Sequence, residues 1–489
     1  MRSYWKSAFA CCCFLFAAAA SQAQPTPPPA TVQALLVSDI HFEPFWDPAK
    51  AARLNAAPVA DWKAILAAPE TPGRAASFAA LQQRCGARGV DTSLTLFESS
   101  LQAMRAHAAG ARFITVSGDL IAHDFSCKFG AALPHAFHRD YESFVEKTLA
   151  FVLAELRGAF PGVPVYAALG NNDSDCGDYR LDEHSAFLTN EGRVFAADLQ
   201  AADRKRAEET FSDGGNYTAE LPAPVRDARI IVLDDLFLAS GYKSCVGKSD
   251  SAPGAEQIAW LRSQLVDARR SGRRVWVMAH IPTGVDPYST ARKMRDLCGG
   301  EDPVMFLSSD ALAQTLAEFG DVIRLVVFAH THMDEWRLLR PAQSGPAQGG
   351  AAKVADRAVA VKMVGSISPV DGNNPSFTVA EVDPKTAGLS DYQVIQASNQ
   401  TGVDTQWSKE YDFDSAYGQS GFNAGSVAQL IGEFSHDRAA ESRASQEYLK
   451  NYYVRDASVV LKAFWPQYVC ALDNDTGATY RSCVCRPQR

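Results

Sequence analysis

Five short apolar runs along the chain have the length and composition of buried β-strands. They are residues 34–37, 113–116, 164–167, 275–277 and 325–328. The second run is preceded by a segment with helical spacing of its apolar residues, which lie on one face: Leu94, Phe97, Leu101 and Met104. Asp91, Thr92 and Ser93 stand just before this segment and are good N-capping residues. The repeat of strand, polar turn and helix predicts a layered α/β fold.

A polar motif follows each of the five runs. The side chains in these motifs that can bind a metal are Asp39, His41, Asp119, Asn171, His280, His330 and His332. Ligands of α/β proteins bind outside the carboxyl ends of the strands, so we expect these side chains to share one site. Carboxylate, amide and imidazole groups together suit zinc, manganese or iron, with enough donors for two ions if one group bridges them.

The pattern changes near Gly402. Residues 427–431 and 448–452 have helical spacing, so we expect a catalytic domain over residues 31–401 and a small helical C-terminal subdomain over residues 402–489. The sequence shows neither an internal repeat nor a transmembrane segment.

The N-terminus has the features of a secretory signal peptide. Arg2 and Lys6 precede an apolar stretch over residues 8–20, and Ser21-Gln22-Ala23 offers small residues for cleavage. The stretch is short for a membrane span. We expect a signal peptide over residues 1–23, a proline-rich extended tether over residues 24–30, and a secreted or periplasmic protein.

The composition argues against a nucleic-acid partner and indicates the compartment of the protein. The net charge of −9 makes the chain a poor electrostatic match to a nucleic-acid polymer. Of the 11 cysteines, those at positions 11–13 fall in the predicted signal peptide. The remaining even number is typical of disulfides in an exported protein, and the sequence alone leaves their pairing open.

The motif order resembles the calcineurin-like metallophosphoesterase superfamily. The motifs are Asp39-Ile40-His41, Gly118-Asp119, Gly170-Asn171-Asn172-Asp173, His280 and His330-Thr331-His332. Further motifs are similar to the acid sphingomyelinase-like phosphodiesterase branch, namely Gly118-Asp119-Leu120-Ile121-Ala122-His123-Asp124, Ser366-Ile367-Ser368-Pro369 and the C-terminal cysteines. The resemblance implies a two-sheet β-sandwich with helices outside it.

The same resemblance implies a binuclear metal centre that hydrolyses a phosphoester through a metal-bridging hydroxide. Asp119 would bridge two divalent ions. Asp39, His41 and His332 would complete one ion, and Asn171, His280 and His330 the other. Ala122 stands where relatives with an iron site carry a tyrosine ligand, so an iron site is not expected. Zinc is the first choice because the sphingomyelinase-like branch resembles zinc enzymes, and manganese or mixed occupancy is the second.

The chain departs from the superfamily at Asn172, where the usual motif has a histidine that protonates the leaving group. Two alternatives follow. Either His123 supplies the proton, as the matching histidine does in the sphingomyelinase-like branch, or the enzyme is a phosphoanhydride hydrolase acting on nucleoside triphosphates or polyphosphate, whose leaving groups need little protonation. Asp173 is expected to orient its neighbours.

Two interpretations are open for the aromatic residues that follow the first metal motif. Phe42, Phe45 and Trp46 could line the mouth of the site or simply pack beneath it. Too few residues precede the first strand for a saposin-like domain, which favours a small phosphodiester, nucleotide or phospholipid head group over bilayer sphingomyelin. A catalytically silent binding protein is the alternative outside the enzymes.

The family resemblance favours a Cys245–Cys298 disulfide and a bond from Cys470 to Cys483 or Cys485. The oligomeric state stays open.

Overall fold

All five apolar runs form strands of two mixed sheets. The computed structural model describes Met1 and residues 31–341, 357–454 and 458–486. Its strands are β1 Val32–Val37, β2 Ala111–Ser117, β3 Val165–Ala168, β4 Tyr217–Glu220, β5 Ala228–Val232, β6 Arg274–Met278, β7 Ile323–Phe328, β8 Glu335–Leu339, β9 Val359–Met363, β10 Ser376–Val382, β11 Leu389–Ala397 and β12 Trp407–Asp412. One sheet has the order β12-β11-β10-β1-β2-β3 and the other β4-β5-β6-β7-β9-β8.

The polar motifs follow strands that run in parallel. β1, β2 and β3 pair in parallel in the first sheet, and β5, β6, β7 and β9 do so in the second. Parallel strands present their carboxyl ends at one edge of a sheet. The register Leu36↔Thr115 and Val116↔Ala167 therefore brings the turns after β1, β2 and β3 side by side.

Helices cover the sheets. They are α1 Ala51–Ala56, α2 Trp62–Ala67, α3 Arg74–Cys85, α4 Leu94–His107, α5 Phe125–Ala132, α6 His138–Ala159, α7 Ala186–Phe195, α8 Ala201–Gly214, α9 Ala252–Arg270, α10 Pro287–Arg292, α11 Ala311–Glu318, α12 Phe413–Tyr417, α13 Ala424–His436, α14 Arg443–Tyr452, α15 Val459–Ala463, α16 Trp465–Ala471 and α17 Gly477–Val484. Helix α4 begins where the capping residues predicted it, since the Ser93 hydroxyl accepts a hydrogen bond from the Leu96 N–H at 3.3 Å.

The two sheets share an aromatic core. Phe113 on β2 meets Trp276 on β6 edge to face with ring centroids 5.3 Å apart, a favourable geometry for two buried aromatic rings. The Trp276 indole N–H donates to the Ala387 carbonyl at 2.7 Å, so its polar atom is satisfied inside the core. The predicted two-sheet α/β architecture with flanking helices is confirmed.

The aromatic residues after the first metal motif belong to the core. Phe42 and Phe45 are fully buried, and they pack on Phe151 and Phe144 of α6 at 5.1 and 5.4 Å between ring centroids. Trp46 packs on Phe78. The packing alternative is therefore correct for Phe42 and Phe45, and a role at the mouth of the site is not.

The C-terminal region combines one strand with the predicted helices. Strand β12 is the edge strand of the first sheet, so the expectation that the chain is helical from Gly402 onward was wrong for Trp407–Asp412. The helices beyond it pack against β8. Trp336 on β8 contacts Phe434 of α13 and Tyr448 of α14, with ring centroids 5.7 and 5.0 Å apart.

Four disulfides occur among the described residues: Cys85–Cys127, Cys176–Cys245, Cys298–Cys485 and Cys470–Cys483. The expected bond from Cys470 to the terminal cysteine pair is confirmed. The expected Cys245–Cys298 bond was wrong, because Cys245 pairs with Cys176 and Cys298 with Cys485.

The N-terminal predictions concern residues 1–30. The signal peptide and the tether lie almost wholly outside the described residues. Within the part of the chain that the structure describes, no helix has both the length and the apolar character to span a membrane.

Candidate metal centre

Main-chain hydrogen bonds join the loops that carry the predicted ligands. The Asp39 N–H donates to the Gly118 carbonyl at 3.1 Å, and the His41 N–H donates to the Asp119 carbonyl at 2.9 Å. In the second sheet the Ala329 N–H donates to the His280 carbonyl at 2.9 Å. These bonds fix neighbouring turns relative to one another within each sheet.

Five of the seven predicted ligands have a positive φ angle. The angles are 46° at Asp39, 44° at His41, 54° at Asp119, 71° at His330 and 64° at His332. A residue other than glycine in this region costs on the order of 1–3 kcal/mol, and such residues cluster at functional sites. The fold therefore sustains local strain at this edge in order to direct these side chains inward.

Two of the histidines are oriented by backbone carbonyls. His41 Nδ1 lies 2.9 Å from the Ile121 carbonyl, and His280 Nδ1 lies 2.7 Å from the Ser117 carbonyl. A carbonyl only accepts, so Nδ1 carries a proton in both rings and Nε2 faces the site, where the neutral imidazole offers its lone pair.

The inward-pointing atoms approach one another closely, and with neutral imidazole rings they are all acceptors. His41 Nε2 lies 3.1 Å from His332 Nε2 and 3.4 Å from Asp119 Oδ2. His280 Nε2 lies 3.1 Å from Asn171 Oδ1 and 3.2 Å from Asp119 Oδ2. Lone pairs this close repel one another, unless cations lie among them.

Asp39 gives the sharpest sign of a cation site. Its side chain is fully buried, and neither carboxylate oxygen has a hydrogen-bond partner among the described residues. Burial raises the pKa of Asp39 to about 7. A buried carboxylate without donors is costly to the fold, so this one fits a metal ion as its partner.

Two groups of side chains can each hold an ion, and they share Asp119. Asp39, His41 and Asp119 bring ligand atoms within 4.8 Å of one another, and so do Asp119, His280 and His330. Asn171 and His332 lie beside these groups at the distances given above. The donor set of carboxylate, imidazole and amide fits two divalent ions with Asp119 between them.

Asn172 and Asp173 hold the site together rather than point into it. The Asn172 N–H and side-chain amide donate to the two oxygens of Asp119, both at 2.9 Å. Asp173 accepts hydrogen bonds from the N–H groups of Gly170, Leu120 and Ile121 at 2.9, 2.8 and 3.0 Å. The two side chains thus lock the turn after β3 onto the turn after β2.

His123 lies on the cleft side of the centre. Its ring stacks on that of His41, with centroids 3.8 Å apart, and its side chain is 18% exposed. Its Nδ1 lies 2.9 Å from Asp91 Oδ1. Burial lowers the pKa of His123, but the Asp91 carboxylate outweighs burial and raises that pKa to about 9.

A cleft of about 830 Å³ opens over the centre. The residues that line it include His123, Asn171, His330 and His332 from the site, the basic side chains Arg88, Arg292 and Lys293, and the tyrosines Tyr179, Tyr288 and Tyr453. Carboxylates line the cleft as well, among them Asp286, Glu335 and Asp371. The cleft can therefore receive an anionic group at the candidate centre and present cationic, acidic and aromatic side chains to the rest of the molecule that carries it.

Sequence reasoning missed two residues that orient ligands. Asp178 Oδ1 accepts a hydrogen bond from the Asn171 amide at 2.8 Å, which turns the amide oxygen inward. The Tyr179 hydroxyl lies 3.2 Å from His330 Nε2. Both stand on the loop held by the Cys176–Cys245 disulfide, and a nearby cysteine was the one local signal for them.

Comparison with known proteins decides the family. The model of calcineurin-like phosphoesterases matches residues 33–334, which is more than half of the chain. The chain belongs to the calcineurin-like phosphoesterase family. Divalent metal ions are implied by this membership, and the residues around Asp119 fit them.

Curated relatives indicate the branch of the family to which this phosphoesterase belongs. Human acid sphingomyelinase-like phosphodiesterase 3b is 24% identical over 401 residues, covering 81% of this chain and 80% of that protein. Human cyclic GMP-AMP phosphodiesterase SMPDL3A is 25% identical over 340 residues, covering 67% and 68%. Sphingomyelinase phosphodiesterase C of Dictyostelium discoideum is 26% identical over 260 residues, covering 51% and 49%. The phosphoesterase is a hydrolase of phosphoesters from the acid sphingomyelinase-like branch, and the four disulfides among the described residues fit an exported protein.

Proposed function

We propose that this phosphoesterase is a binuclear metal-dependent phosphodiesterase whose centre is built on Asp119. One observation carries the proposal: buried side chains from both sheets converge on Asp119, while neither oxygen of the Asp39 carboxylate has a hydrogen-bond partner among the described residues. Asp39, His41 and His332 would hold one ion, and Asn171, His280 and His330 the other.

Zinc is the metal that the donor set favours. Four histidines, two carboxylates and one amide make an imidazole-rich site, which suits zinc, with manganese or mixed occupancy as the alternative. When bound, the ions supply an activated water at neutral pH and neutralise charge on the phosphoryl oxygens. The protein holds the ligands in place.

His123 is proposed as the general acid. The Asn172 amide donates a hydrogen bond to Asp119 and is too weakly acidic to transfer a proton. His123, in contrast, lies at the cleft beside His41. With its pKa raised to about 9, His123 holds a proton at neutral pH. It would pass that proton to the leaving oxygen as the P–O bond breaks. Asn172 and Asp173 would act by positioning the turn after β3.

The proposed substrate is a small phosphodiester, either a nucleotide or the head group of a phospholipid. The cleft supports this choice because Arg88, Arg292 and Lys293 can meet further anionic groups, while Tyr179, Tyr288 and Tyr453 offer flat apolar faces. A phosphoanhydride hydrolase is the second candidate, since Asn172 stands where the superfamily carries its acid and the same cations suit polyphosphate.

Export is part of the proposal. Residues 1–23 would be removed as a signal peptide, with residues 24–30 as a tether. The disulfides support a secreted or periplasmic enzyme. The border near Gly402 would separate residues 31–401 from the C-terminal subdomain, although β12 joins the first sheet.

The test compares substrates and metals on the mature protein. EDTA-treated protein is reloaded with zinc or manganese and assayed on bis-p-nitrophenyl phosphate, p-nitrophenyl phosphate, cyclic GMP-AMP, sphingomyelin vesicles, ATP and polyphosphate. We expect turnover only with metal and a preference for the diester over the monoester of about tenfold or more. His138→Ala on the exposed end of α6 is the control and keeps full activity. Faster turnover of ATP or polyphosphate would move the function to a phosphoanhydride hydrolase, and no turnover with either metal would leave a binding protein.

A further inference from the structure

Asp91 is a buried carboxylate with four hydrogen-bond donors around it. Oδ2 accepts from the His123 N–H at 2.9 Å and from Lys128 Nζ at 3.3 Å. Oδ1 accepts from the Ser368 hydroxyl at 3.0 Å and lies 2.9 Å from His123 Nδ1. Both the backbone and the ring of His123 are thus fixed by the same carboxylate.

A second buried ion pair lies behind Asp91. Lys128 on α5 donates to Glu43 as well as to Asp91, and the side chains of Lys128 and Glu43 are fully buried. Glu43 Oε1 in turn accepts from the Phe45 N–H at 3.1 Å. A charged group inside a protein is costly unless it is paired, so these partners hold one another in a single arrangement.

The network joins the loop of the first metal motif to the residue before α4. The Glu43 N–H donates to the Thr92 carbonyl at 2.9 Å, and the Thr92 N–H donates to the His41 carbonyl at 3.1 Å. The residues that surround His123 are therefore attached to the loop that carries Asp39 and His41.

The hydrogen bonds dictate which nitrogen of His123 faces the reaction. A carboxylate only accepts, so Nδ1 carries the proton that points to Asp91. Nε2 has no protein partner among the described residues, and the ring lines the cleft above the candidate centre.

We propose that Asp91, held by Lys128, Glu43 and Ser368, is the positioning residue that presents His123 Nε2 to the leaving oxygen. The inference rests on the proposed role of His123 as the acid. The proton on Nε2 passes to the leaving oxygen as its bond to phosphorus breaks, while Asp91 keeps the proton on Nδ1 and fixes the plane of the ring.

The test uses phosphodiesters that differ only in the leaving group, from p-nitrophenol, which needs no proton, to methanol, which does. We expect Asp91→Asn to lower kcat on the methyl diester about 10–100-fold, with KM unchanged, and to lower kcat on the p-nitrophenyl diester less than about threefold. Ser368→Ala removes one of the four donors and has the same pattern at about 3–10-fold.

A double variant separates positioning from general damage. Asp91 acts through His123, so Asp91→Asn adds nothing to the loss caused by His123→Ala. Asp203→Asn is the matched control: this buried aspartate on α8 bonds to the Glu220 N–H and Arg206, away from the centre, and its removal has the same effect on every leaving group.

The outcomes distinguish the two proposals. A loss in Asp91→Asn that is equal for all leaving groups, or that adds to the loss in His123→Ala, overturns the positioning role alone. A loss in His123→Ala that is equal for all leaving groups overturns the acid in the proposed function. If Asp91→Asn fails to fold, Ser368→Ala decides by the same criterion.

Discussion

At the scale of single residues, the burial of Asp39 lowers the stability of the metal-free protein but leaves the carboxylate available to a metal ion. The carboxylate is fully buried and lacks a hydrogen-bond partner among the described residues, so the fold bears its charge without compensation from protein donors. The same lack of donors leaves both oxygens free for a cation. Asn172 shows the opposite arrangement, since its side chain is fully engaged with Asp119.

Asp39→Asn should stabilise the EDTA-treated protein while weakening metal binding. Burial raises the pKa of Asp39 to about 7 from its usual 3.8. The folded state resists ionisation of this group, so the wild type loses stability as the pH rises from about 4 to about 7 and the variant does not. We expect the variant to gain about 2–4 kcal/mol in free energy of unfolding at pH 8 and little at pH 4.

Urea unfolding in EDTA at both pH values measures this difference. Metal content after dialysis against zinc measures the apparent affinity, which should be at least about tenfold lower in the variant. Loss of a group that only supports a ligand already has an effect of about this size. With zinc bound, the order of stability should reverse. An equal gain at pH 4 and pH 8 would contradict the assignment of the effect to the buried charge.

At the scale of elements, the site depends on how closely the turns after β2 and β3 approach. Gly170 lies two residues after β3, at a position where a Cβ atom would lie 2.2 Å from Asp119 Oδ1 and 2.3 Å from the Asp119 nitrogen. The glycine is therefore required by the contact between two turns.

Gly170→Ala should disrupt the candidate centre. The added methyl group must displace Asp119, and a displacement near 1 Å in an active site costs about 100-fold in rate. Kinetics on bis-p-nitrophenyl phosphate and metal analysis check this. Gly130→Ala is the matched control, because Gly130 lies within α5 with open space around its Cβ position. That change should keep activity and add about 0.5–1 kcal/mol of stability. Full activity in Gly170→Ala would show that the turns can separate.

At the scale of the whole molecule, disulfides join distant parts of the chain. Cys298–Cys485 ties residues that are 187 positions apart, whereas Cys470–Cys483 spans 13 positions. The longer bond attaches Cys485, directly after α17, to the loop after α10, close in sequence to Arg292 and Lys293 of the cleft.

Removing the longer disulfide should cost more stability than removing the shorter one. A cross-link restricts the unfolded chain more when it closes a longer loop, and the chain-entropy model gives a difference of about 2 kcal/mol. Urea unfolding of Cys298→Ser/Cys485→Ser and Cys470→Ser/Cys483→Ser measures it, with each double variant as the other's control. Equal losses would mean that strain or residual structure in the unfolded state outweighs loop length.

The sequence by itself determined the five strands that precede the metal motifs, and it determined the seven candidate ligands. Buried parallel strands need continuous apolar runs, and the turn at the end of each run must carry the polar side chains of an edge site. Both features are local, so they are visible in the order of residues. The start of α4 at Ser93 was predictable for the same reason.

Only the tertiary structure decided which distant residues meet. Edge strand β12 lacked a signal because an exposed edge carries charged residues such as Lys409 and Glu410 instead of an apolar run. The partner of Cys245 depends on how loops fold over one another. The carboxylate behind His123 belongs to Asp91, which in sequence looked like a helix cap. Its contacts with Lys128 and Ser368 join segments that no local pattern relates, because pairing through space leaves no periodicity in the chain.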